Sequence, residues 1–110
     1  MTRKKDFGKK RGFMFVYILT NKTNSVLYIG TTNDIRRRLS EHREGIAEGF
    51  AKKYNATKPV YCEEIKNPHD AIQREKQLKR WSRQKKIQLI ESLNPDWNDL
   101  SESINQKIKD

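Results

Sequence analysis

Two short apolar runs with a polar turn between them constrain this chain more than any other feature of its sequence. Residues 14–19 and 26–29 are mainly aliphatic, β-branched or aromatic, whereas residues 21–24 have the composition of a turn. The pattern predicts one antiparallel β-hairpin. If residues 21–24 form the whole loop, Tyr17 lies directly opposite Tyr28, and opposed side chains share a face of the sheet about 5 Å apart. We therefore expect two phenols to point the same way.

Gly30 follows closely, two residues after Tyr28. A glycine inside a strand allows a ligand or another backbone to come close. The tyrosine pair then has two interpretations. It is either an aromatic cross-strand pair that packs the sheet, or a pair of functional phenols beside a position of close approach. The hairpin alone favours packing, and the next helix bears on the choice.

The segment after the hairpin is predicted to be a helix that carries an arginine and a histidine on one side. Residues 32–34 supply helix-capping chemistry, and Ile35 and Leu39 recur at helical spacing. Arg38 lies three residues after Ile35, and His42 lies four residues after Arg38, so both lie beside or within the apolar stripe. Burying an arginine is unfavourable without a partner anion. A histidine on such a face is either a packed core residue or a functional one.

A carboxylate on a later helix is the third candidate. Pro68 begins that helix, and Ala71, Ile72 and Leu78 are predicted to mark its inward face. Glu75 lies three residues from both Ile72 and Leu78, so we expect it to point inward with them. Acidic side chains are rarely buried without a partner. Glu75 is therefore either half of an internal salt bridge to an arginine or a functional group.

Together these positions resemble the motif of the GIY-YIG nuclease superfamily, which includes the incision module of bacterial nucleotide-excision repair and homing endonucleases. The resemblance rests on Tyr17, Tyr28-Ile29-Gly30, Arg38, His42 and Glu75. Gly30 precedes Arg38 by eight residues and His42 by twelve, as in the family pattern. The resemblance covers roughly residues 14–97 and is to the small single-domain bacterial members. Phe15 stands where the family has the glycine of Gly-Ile-Tyr, and Asn94 is the nearest match to an asparagine that some members carry.

The resemblance implies hydrolysis of a phosphodiester by water with one divalent cation, Mg²⁺ or Mn²⁺. Glu75 would be the sole protein ligand of that ion, and Arg38 would bind the scissile phosphate. Tyr17 would take the proton of the attacking water, with Tyr28 positioning the water; the assignment between the two phenols is open. A phenol with a pKa of about 10 is only ~0.1% ionised at pH 7. Either the arginine and the metal lower that pKa, or His42 accepts the proton.

The charge balance agrees with a polyanionic partner. The 110 residues include 24 Lys and Arg against 14 Asp and Glu, a formal net charge of +10. Many basic residues cluster around the proposed site, where they form either a solvated surface or one that contacts a nucleic-acid backbone; we favour the second. The predicted nucleic-acid-binding residues are Gly30, Arg36, Arg37, Lys52, Lys53, Arg74, Lys76, Lys79, Arg80 and Arg83. Trp81 and Trp97 are candidates for base stacking, although core packing is the preferred interpretation.

The cysteine count and the hydropathy indicate the compartment. Cys62 is the single cysteine, so an internal disulfide is excluded, and we interpret it as a structural thiol. No apolar run approaches the ~18 residues of a membrane span, and nothing resembles a signal peptide. We expect a cytoplasmic protein that has no structural zinc site and does not bind a membrane.

The predicted fold is α+β, with a three-stranded antiparallel sheet flanked by helices. The strands are expected at about residues 14–20, 26–30 and 59–66. The helices are expected at about residues 33–45, 68–80 and 83–93, with a shorter one near 47–55. Ile87, Ile90 and Leu93 are predicted to form the buried face of the helix at 83–93. The predicted organisation is a flexible basic arm at residues 1–12, a single nuclease-like domain at 13–100 and a flexible tail at 101–110.

The leading functional hypothesis is a small metal-dependent endonuclease acting on DNA, in repair, recombination or turnover. The first alternative is a non-catalytic nucleic-acid-binding module that retains the nuclease fold. The second is a subunit whose basic surface binds another protein. Salt-dependent DNA binding without cleavage would favour the first alternative, and no binding would favour the second. The preferred nucleic acid, DNA or RNA, and the oligomeric state stay open.

Overall fold

The computed structural model describes residues 13–45 and 49–109, so the predicted basic arm of residues 1–12 lies outside the described residues. The elements are β1 (Met14–Thr20), β2 (Leu27–Thr32), α1 (Ile35–Arg43), α2 (Phe50–Lys53), β3 (Lys58–Ile65), α3 (Pro68–Arg80), α4 (Arg83–Leu93) and α5 (Ser101–Lys109). The strands form one sheet in the order β2-β1-β3, with both pairings antiparallel. The predicted α+β class is confirmed. No helix within the described ranges is long and apolar enough to span a membrane.

The register of the hairpin differs from the predicted one by two residues. Tyr17 is opposite Gly30, and Tyr28 is opposite Leu19. The prediction that the two tyrosines are directly opposed is therefore wrong. Because side chains alternate between faces with a period of two, a shift of two residues leaves both tyrosines on the same face. They are diagonal neighbours, with ring centroids 6.4 Å apart.

The longer loop between β1 and β2 explains the difference in register. Thr20 pairs with Leu27, so Ser25 and Val26 belong to the loop instead of the second strand. The side-chain oxygen of Asn21 accepts hydrogen bonds from the backbone nitrogens of Ser25 at 2.8 Å and Val26 at 3.3 Å. This bonding within the loop replaces the ladder bonds that a four-residue turn would have allowed.

Both faces of the sheet are buried, because helices cover each of them. Phe15, Tyr17 and Leu19 on β1 belong to a core cluster that includes residues of α1, whereas Val16 and Ile18 belong to a second cluster that includes residues of α3 and α4. β1 is the central strand, and all of its residues after Met14 are buried. This explains why β1 is a continuous apolar run instead of an alternating one.

Helices α3 and α4 have the predicted bounds, but their buried faces differ from prediction in one residue each. Asn67 caps α3 by accepting a hydrogen bond from the backbone nitrogen of Asp70 at 2.8 Å. Ile72, expected inside, is 47% exposed, and Leu93 at the end of α4 is 69% exposed. Leu93 is the last residue of α4, where the helix ends at the cap residue Asn94.

The predicted flexible tail is a helix, so that expectation is wrong. Residues 101–109 form α5, and the side chain of Ile104 is only 6% exposed within the cluster that contains Phe15 and Tyr17. The backbone nitrogen of Leu100 donates to the carbonyl of Pro59 at 2.9 Å, which fixes the chain just before α5. Leu100 and Ile104 are one helical turn apart, so both reach the same cluster.

Candidate active site

Tyr17 occupies the centre of the sheet face that α1 covers, and Gly30 makes room for its ring. A Cβ atom at residue 30 would lie 2.5 Å from the hydroxyl oxygen of Tyr17 and 2.7 Å from its Cζ. Gly30 was predicted to admit a ligand and to contact nucleic acid. The structure corrects this, because Gly30 is buried and the group that approaches it is the Tyr17 ring.

Three of the predicted residues form one hydrogen-bonded cluster. The Nε of Arg38 donates to the Tyr17 hydroxyl oxygen at 3.4 Å, and that oxygen lies 3.3 Å from Nε2 of His42. Since a guanidinium can only donate, the Tyr17 oxygen accepts from Arg38 and its own hydrogen can be donated to His42. His42 then presents an unprotonated Nε2 and carries its hydrogen on Nδ1.

Burial sets the charge states in this cluster. Desolvation raises the pKa of Tyr17 to about 12; the hydrogen bond from Arg38 opposes the rise, and the charges of Tyr28 and Glu75 add to it. Desolvation also lowers the pKa of His42, and the positive charge of Arg38 acts in the same direction. At neutral pH Tyr17 is therefore a protonated phenol and His42 a neutral imidazole. One of the two alternatives stated for proton transfer was that arginine lowers the pKa of the phenol. Arg38 does lower the pKa of Tyr17, but desolvation raises it by more.

The two tyrosines differ in their access to solvent. The side chain of Tyr17 is fully buried, whereas Tyr28 is only partly buried. The Tyr28 ring lies edge-on to His42, with centroids 5.4 Å apart, and the Tyr17 ring is 6.0 Å from the same imidazole. His42 is itself 5% exposed. Tyr28 is therefore the phenol through which this cluster reaches the surface.

Glu75 lies at the β2 edge of the sheet, where two groups hold its carboxylate. The hydroxyl of Thr31 donates to Oε1 at 3.1 Å, and Nζ of Lys79 is 2.9 Å from Oε2. Thr31 follows Gly30, so its side chain points to the opposite face, toward α3. The Glu75 side chain is 21% exposed, which makes it half-buried, and its ion pair is with a lysine and not with an arginine.

Thr31 is a site residue that sequence reasoning missed. The available signal was its position directly after Gly30, because strand alternation places it on the face opposite the tyrosines, where α3 packs. Only the placement of α3 shows that a carboxylate lies within hydrogen-bonding distance of this hydroxyl.

The donor groups around Glu75 fit the single divalent cation that the resemblance implies. Among the described residues no group of three or more His, Cys, Asp and Glu side chains could hold a metal ion, so an ion held by Glu75 would have few protein ligands. Mg²⁺ accepts such sites, because it keeps several waters and takes oxygen ligands from the substrate phosphate. The Lys79 ammonium lies 2.9 Å from Oε2, so an ion bound at this oxygen would displace it. Glu75 would hold the ion, and Thr31 would orient the carboxylate.

Eight of the ten predicted nucleic-acid-binding residues are exposed. Six of them are exposed without contributing to the cluster around Tyr17: Arg36, Arg37, Lys52, Lys53, Lys76 and Arg80. Lys79 and Arg83 are also exposed, although Lys79 pairs with Glu75 and Arg83 donates to the carbonyl of Asn24 at 3.2 Å.

Arg74, predicted to contact phosphate, has protein partners for its guanidinium in this structure. Its Nε and Nη2 donate to the carboxylate of Glu63 at 2.7 and 3.2 Å, and its Nη1 donates to Gln77 at 2.7 Å. The guanidinium of Arg74 is therefore engaged in a bidentate ion pair at the β3 edge. Sequence position alone could not reveal this, since Glu63 is on another element.

Asn94, the nearest match to the asparagine of some family members, is a structural residue. It is 5% exposed, and its amide donates to the carbonyls of Val60 at 3.1 Å and Asn98 at 2.9 Å. Its oxygen accepts from the Asn98 backbone nitrogen at 3.0 Å. These bonds tie the end of α4 to β3, and they engage both ends of the amide.

Comparisons with known proteins show the family to which the chain belongs. The family profile described as the GIY-YIG catalytic domain matches residues 13–88. A UPF0213 protein of Clostridium perfringens is 37% identical over 78 residues, or 71% of this chain and 83% of the relative. A UPF0213 protein of Staphylococcus haemolyticus is 35% identical over 77 residues, or 70% of this chain and 93% of the relative. The solution NMR structure of a UPF0213 protein from Bacillus halodurans superimposes with a TM-score of 0.52 at 27% identity, covering 81% of this chain and 94% of that one. The protein therefore belongs to the GIY-YIG catalytic domain family, the domain type of a nuclease superfamily, and its relatives include UPF0213 proteins.

Proposed function

We propose that this protein is a metal-dependent endonuclease that hydrolyses phosphodiester bonds in DNA, with a role in repair or recombination. The observation that carries the proposal is the hydrogen-bonded cluster of Arg38, Tyr17 and His42, together with the half-buried carboxylate of Glu75, whose charge contributes to the raised pKa of Tyr17. These residues come from separate elements, β1, α1 and α3, and packing of the sheet brings them together. The family membership supports phosphodiester chemistry.

Arg38 is the proposed phosphate-binding residue. Its side chain is 37% exposed, so the guanidinium faces solvent although Tyr17 and Glu41 both hold it. The Nη1 of Arg38 donates to Glu41 at 3.1 Å. A guanidinium held from two sides is pre-oriented, and its fork of donors matches two oxygens of a phosphate. Lysine would supply the charge without this geometry.

The burial pattern favours Tyr28 over Tyr17 as the phenol that contacts the attacking water. Tyr17 is enclosed, and its oxygen is occupied by Arg38 and His42, so its proposed role is to position these two groups. His42 is neutral at pH 7 and can accept a proton, whereas Tyr17, with a pKa of about 12, stays protonated and cannot act as the base. The water oxygen bonds to phosphorus as the bond from phosphorus to the leaving oxygen breaks. The water's proton passes to the neutral imidazole of His42, and the leaving oxygen takes up a proton from solvent.

A divalent cation held by Glu75 would stabilise charge on the phosphoryl and leaving oxygens. Thr31 holds Oε1 of the Glu75 carboxylate from the β2 side. The cation would bind at Oε2 in place of the Lys79 ammonium. The exposed basic residues around the site, Arg36 and Arg37 among them, would attract the backbone without reading sequence.

Cleavage of a panel of labelled nucleic acids in Mg²⁺ or Mn²⁺ tests this proposal. The panel includes linear duplex, single strand, flap and four-way junction DNA, with an RNA single strand. We expect wild type to cut at least one member, and Glu75→Gln, Arg38→Lys and Tyr28→Phe each to cut at least tenfold more slowly. His69→Ala is the matched control, because His69 is exposed on α3 and outside the cluster. Equal cutting by wild type and Glu75→Gln would contradict the proposal.

A nucleic-acid-binding module without catalysis is the second candidate. The complete burial of Tyr17 and its raised pKa are also what a packed core tyrosine would show, and they favour this candidate. It predicts salt-dependent binding by wild type and by Glu75→Gln alike, with no cleavage of any substrate in the panel.

A further inference from the structure

A groove of about 770 Å³ runs between α3 and the β3 edge of the sheet. Glu75 contacts Thr31 on β2, whereas Arg74, which lines the groove, pairs with Glu63 on β3. Since β2 and β3 are the two edges of the sheet, the groove and the Glu75 site lie on opposite sides of α3. The groove therefore belongs to no part of the proposed active site.

An aromatic ring supplies the flat apolar surface of this groove. Trp81 follows α3, is partly buried, and lines the groove at the end of the helix. The guanidinium carbon of Arg74 lies 5.6 Å from its ring centroid, and the Nζ of Lys85 lies 4.7 Å from it. Arg74 is fixed by Glu63 and Gln77, so it supports the ring, whereas Lys85 is exposed and free to move its long side chain.

The charges around the groove suit an anion joined to a flat group. Two carboxylates line the groove. That of Glu63 is compensated by Arg74 and accepts a hydrogen bond from the Tyr61 hydroxyl, and that of Asp70 accepts from the amide of Asn67 at 3.1 Å. Lys76 and Arg80 also line the groove, and both are exposed. An aromatic surface beside exposed cations is the arrangement with which proteins bind unpaired nucleotides, through base stacking and phosphate contacts.

We propose that this groove binds an unpaired nucleotide of the substrate, with its base stacked on Trp81 and its backbone on Lys76 and Arg80. The proposal rests on the proposed function for the presence of nucleic acid. Base stacking on an aromatic ring is stronger than the contact of an exposed ammonium with that ring. The base therefore displaces Lys85, whose ammonium becomes available to a phosphate.

The position of the groove specifies the class of substrate. Glu75 and Trp81 are six residues apart, which is about 9 Å along a helix axis, and the strand must also cross the helix. A path of roughly 10–15 Å corresponds to about three to four nucleotides of a stacked strand. A paired base cannot stack on Trp81. The preferred substrate therefore has an unpaired stretch about three to four nucleotides from the cleaved bond, as in a flap or a single-stranded tail.

Tryptophan fluorescence can test this binding without cleavage. The chain has two tryptophans, so Trp97→Phe leaves Trp81 as the single emitter. The Trp97→Phe variant is titrated in EDTA with oligothymidylate and, separately, with a duplex of the same length. We expect the single strand to quench Trp81 and the duplex to leave the emission nearly unchanged. Quenching by neither would overturn the proposal.

Binding by variants identifies the residue responsible. Trp81→Leu should bind the single strand about tenfold more weakly, and Trp81→Phe, which keeps a ring, should lose less. Trp97→Phe is the matched control and should bind as wild type does. Circular dichroism and thermal melting confirm that each variant folds. If Trp81→Leu binds as tightly as wild type, or if polyglutamate competes as well as oligothymidylate, the groove is not a nucleotide site.

Failure of this proposal is distinguishable from failure of the proposed function. Quenching of Trp81 in wild type and in Glu75→Gln, without cleavage of any substrate, would support the groove and contradict the nuclease. Cleavage that is insensitive to Trp81→Leu and shows no preference for unpaired DNA would support the nuclease and contradict the groove.

Discussion

Substituting Gly30 by alanine tests the geometry of the site through one methyl group. That Cβ would lie 2.7 Å from Cζ of Tyr17, whereas carbon atoms in contact are about 3.5–4.0 Å apart, so the ring must move by about 1 Å. The hydroxyl of Tyr17 is already 3.4 Å from Arg38 Nε and 3.3 Å from His42 Nε2. A displacement of this size breaks one or both hydrogen bonds.

The expected cost to folding follows from overpacking a buried position. Insertion of a carbon into a packed core destabilises a protein by about 1–3 kcal/mol, and each kcal/mol lowers the Tm of a domain of this size by about 4–8 °C. Without the clash the substitution would stabilise the fold, because replacing a strand glycine by alanine increases the free energy of unfolding by about 0.5–1 kcal/mol. Thermal melting followed by circular dichroism measures the difference.

The activity of Gly30→Ala distinguishes a displaced Tyr17 from general destabilisation. Below its Tm, Gly30→Ala should cleave about a hundredfold more slowly, as Tyr17→Phe should, because both lose the contacts that hold Arg38 and His42. Since the two changes act on the same contacts, the double variant should cleave as slowly as either single one. In a Tyr17→Leu background, whose side chain ends before Cζ, Gly30→Ala should be neutral or stabilising. A Gly30→Ala protein with wild-type Tm and wild-type cleavage would refute the reasoning.

Three further predictions concern the metal ligand, the base and the core. Thr31→Val should bind Mn²⁺ about tenfold more weakly in an electron paramagnetic resonance titration, whereas Thr31→Ser, which keeps the hydroxyl, should bind as wild type does. Equal Mn²⁺ affinity of the two variants would exclude a role of Thr31 in orienting the Glu75 carboxylate. The cleavage rate should fall as pH decreases through the pKa of His42, since the neutral imidazole is the active form. Because burial lowers that pKa, the midpoint of the pH–rate profile should lie below 6.5, and a midpoint above 6.5 would contradict this role of His42. Asn94→Ala should destabilise the fold by about 1–3 kcal/mol in urea unfolding and leave the cleavage rate of the folded protein unchanged, whereas a selective loss of cleavage would place Asn94 in the site.

Much of the fold followed from local patterns. The bounds of α3 and α4 could be predicted because Asn67 and Ser82 cap them, and capping is a property of a few adjacent residues. The burial of Ile72 and Leu93 was mispredicted because helical spacing alone does not show which elements pack against a helix. The helix α5 escaped prediction because its stability depends on Ile104 reaching a cluster that β1 and α1 create.

In the candidate site, too, some features follow from spacing along the sequence and others depend on tertiary contacts. The spacing from Gly30 to Arg38 and His42 places these side chains near the strand that carries Tyr17, and it could be recognised from the sequence. The roles of Gly30, Arg74 and Thr31 could not, because each depends on one partner in another element: the Tyr17 ring, the Glu63 carboxylate and the Glu75 carboxylate. These pairings have no fixed spacing along the chain.

The amino-acid sequence by itself determined the family, the α+β class and the fact that two tyrosines share a sheet face. All three depend on residue types at short spacings, and the period of two along a strand keeps the shared face even when the register shifts by two. The tertiary structure decided which phenol is enclosed and which meets solvent, since burial depends on every element packed around a side chain. It also decided the charge states of Tyr17 and His42, because desolvation, the largest cause of both pKa shifts, comes from that same packing.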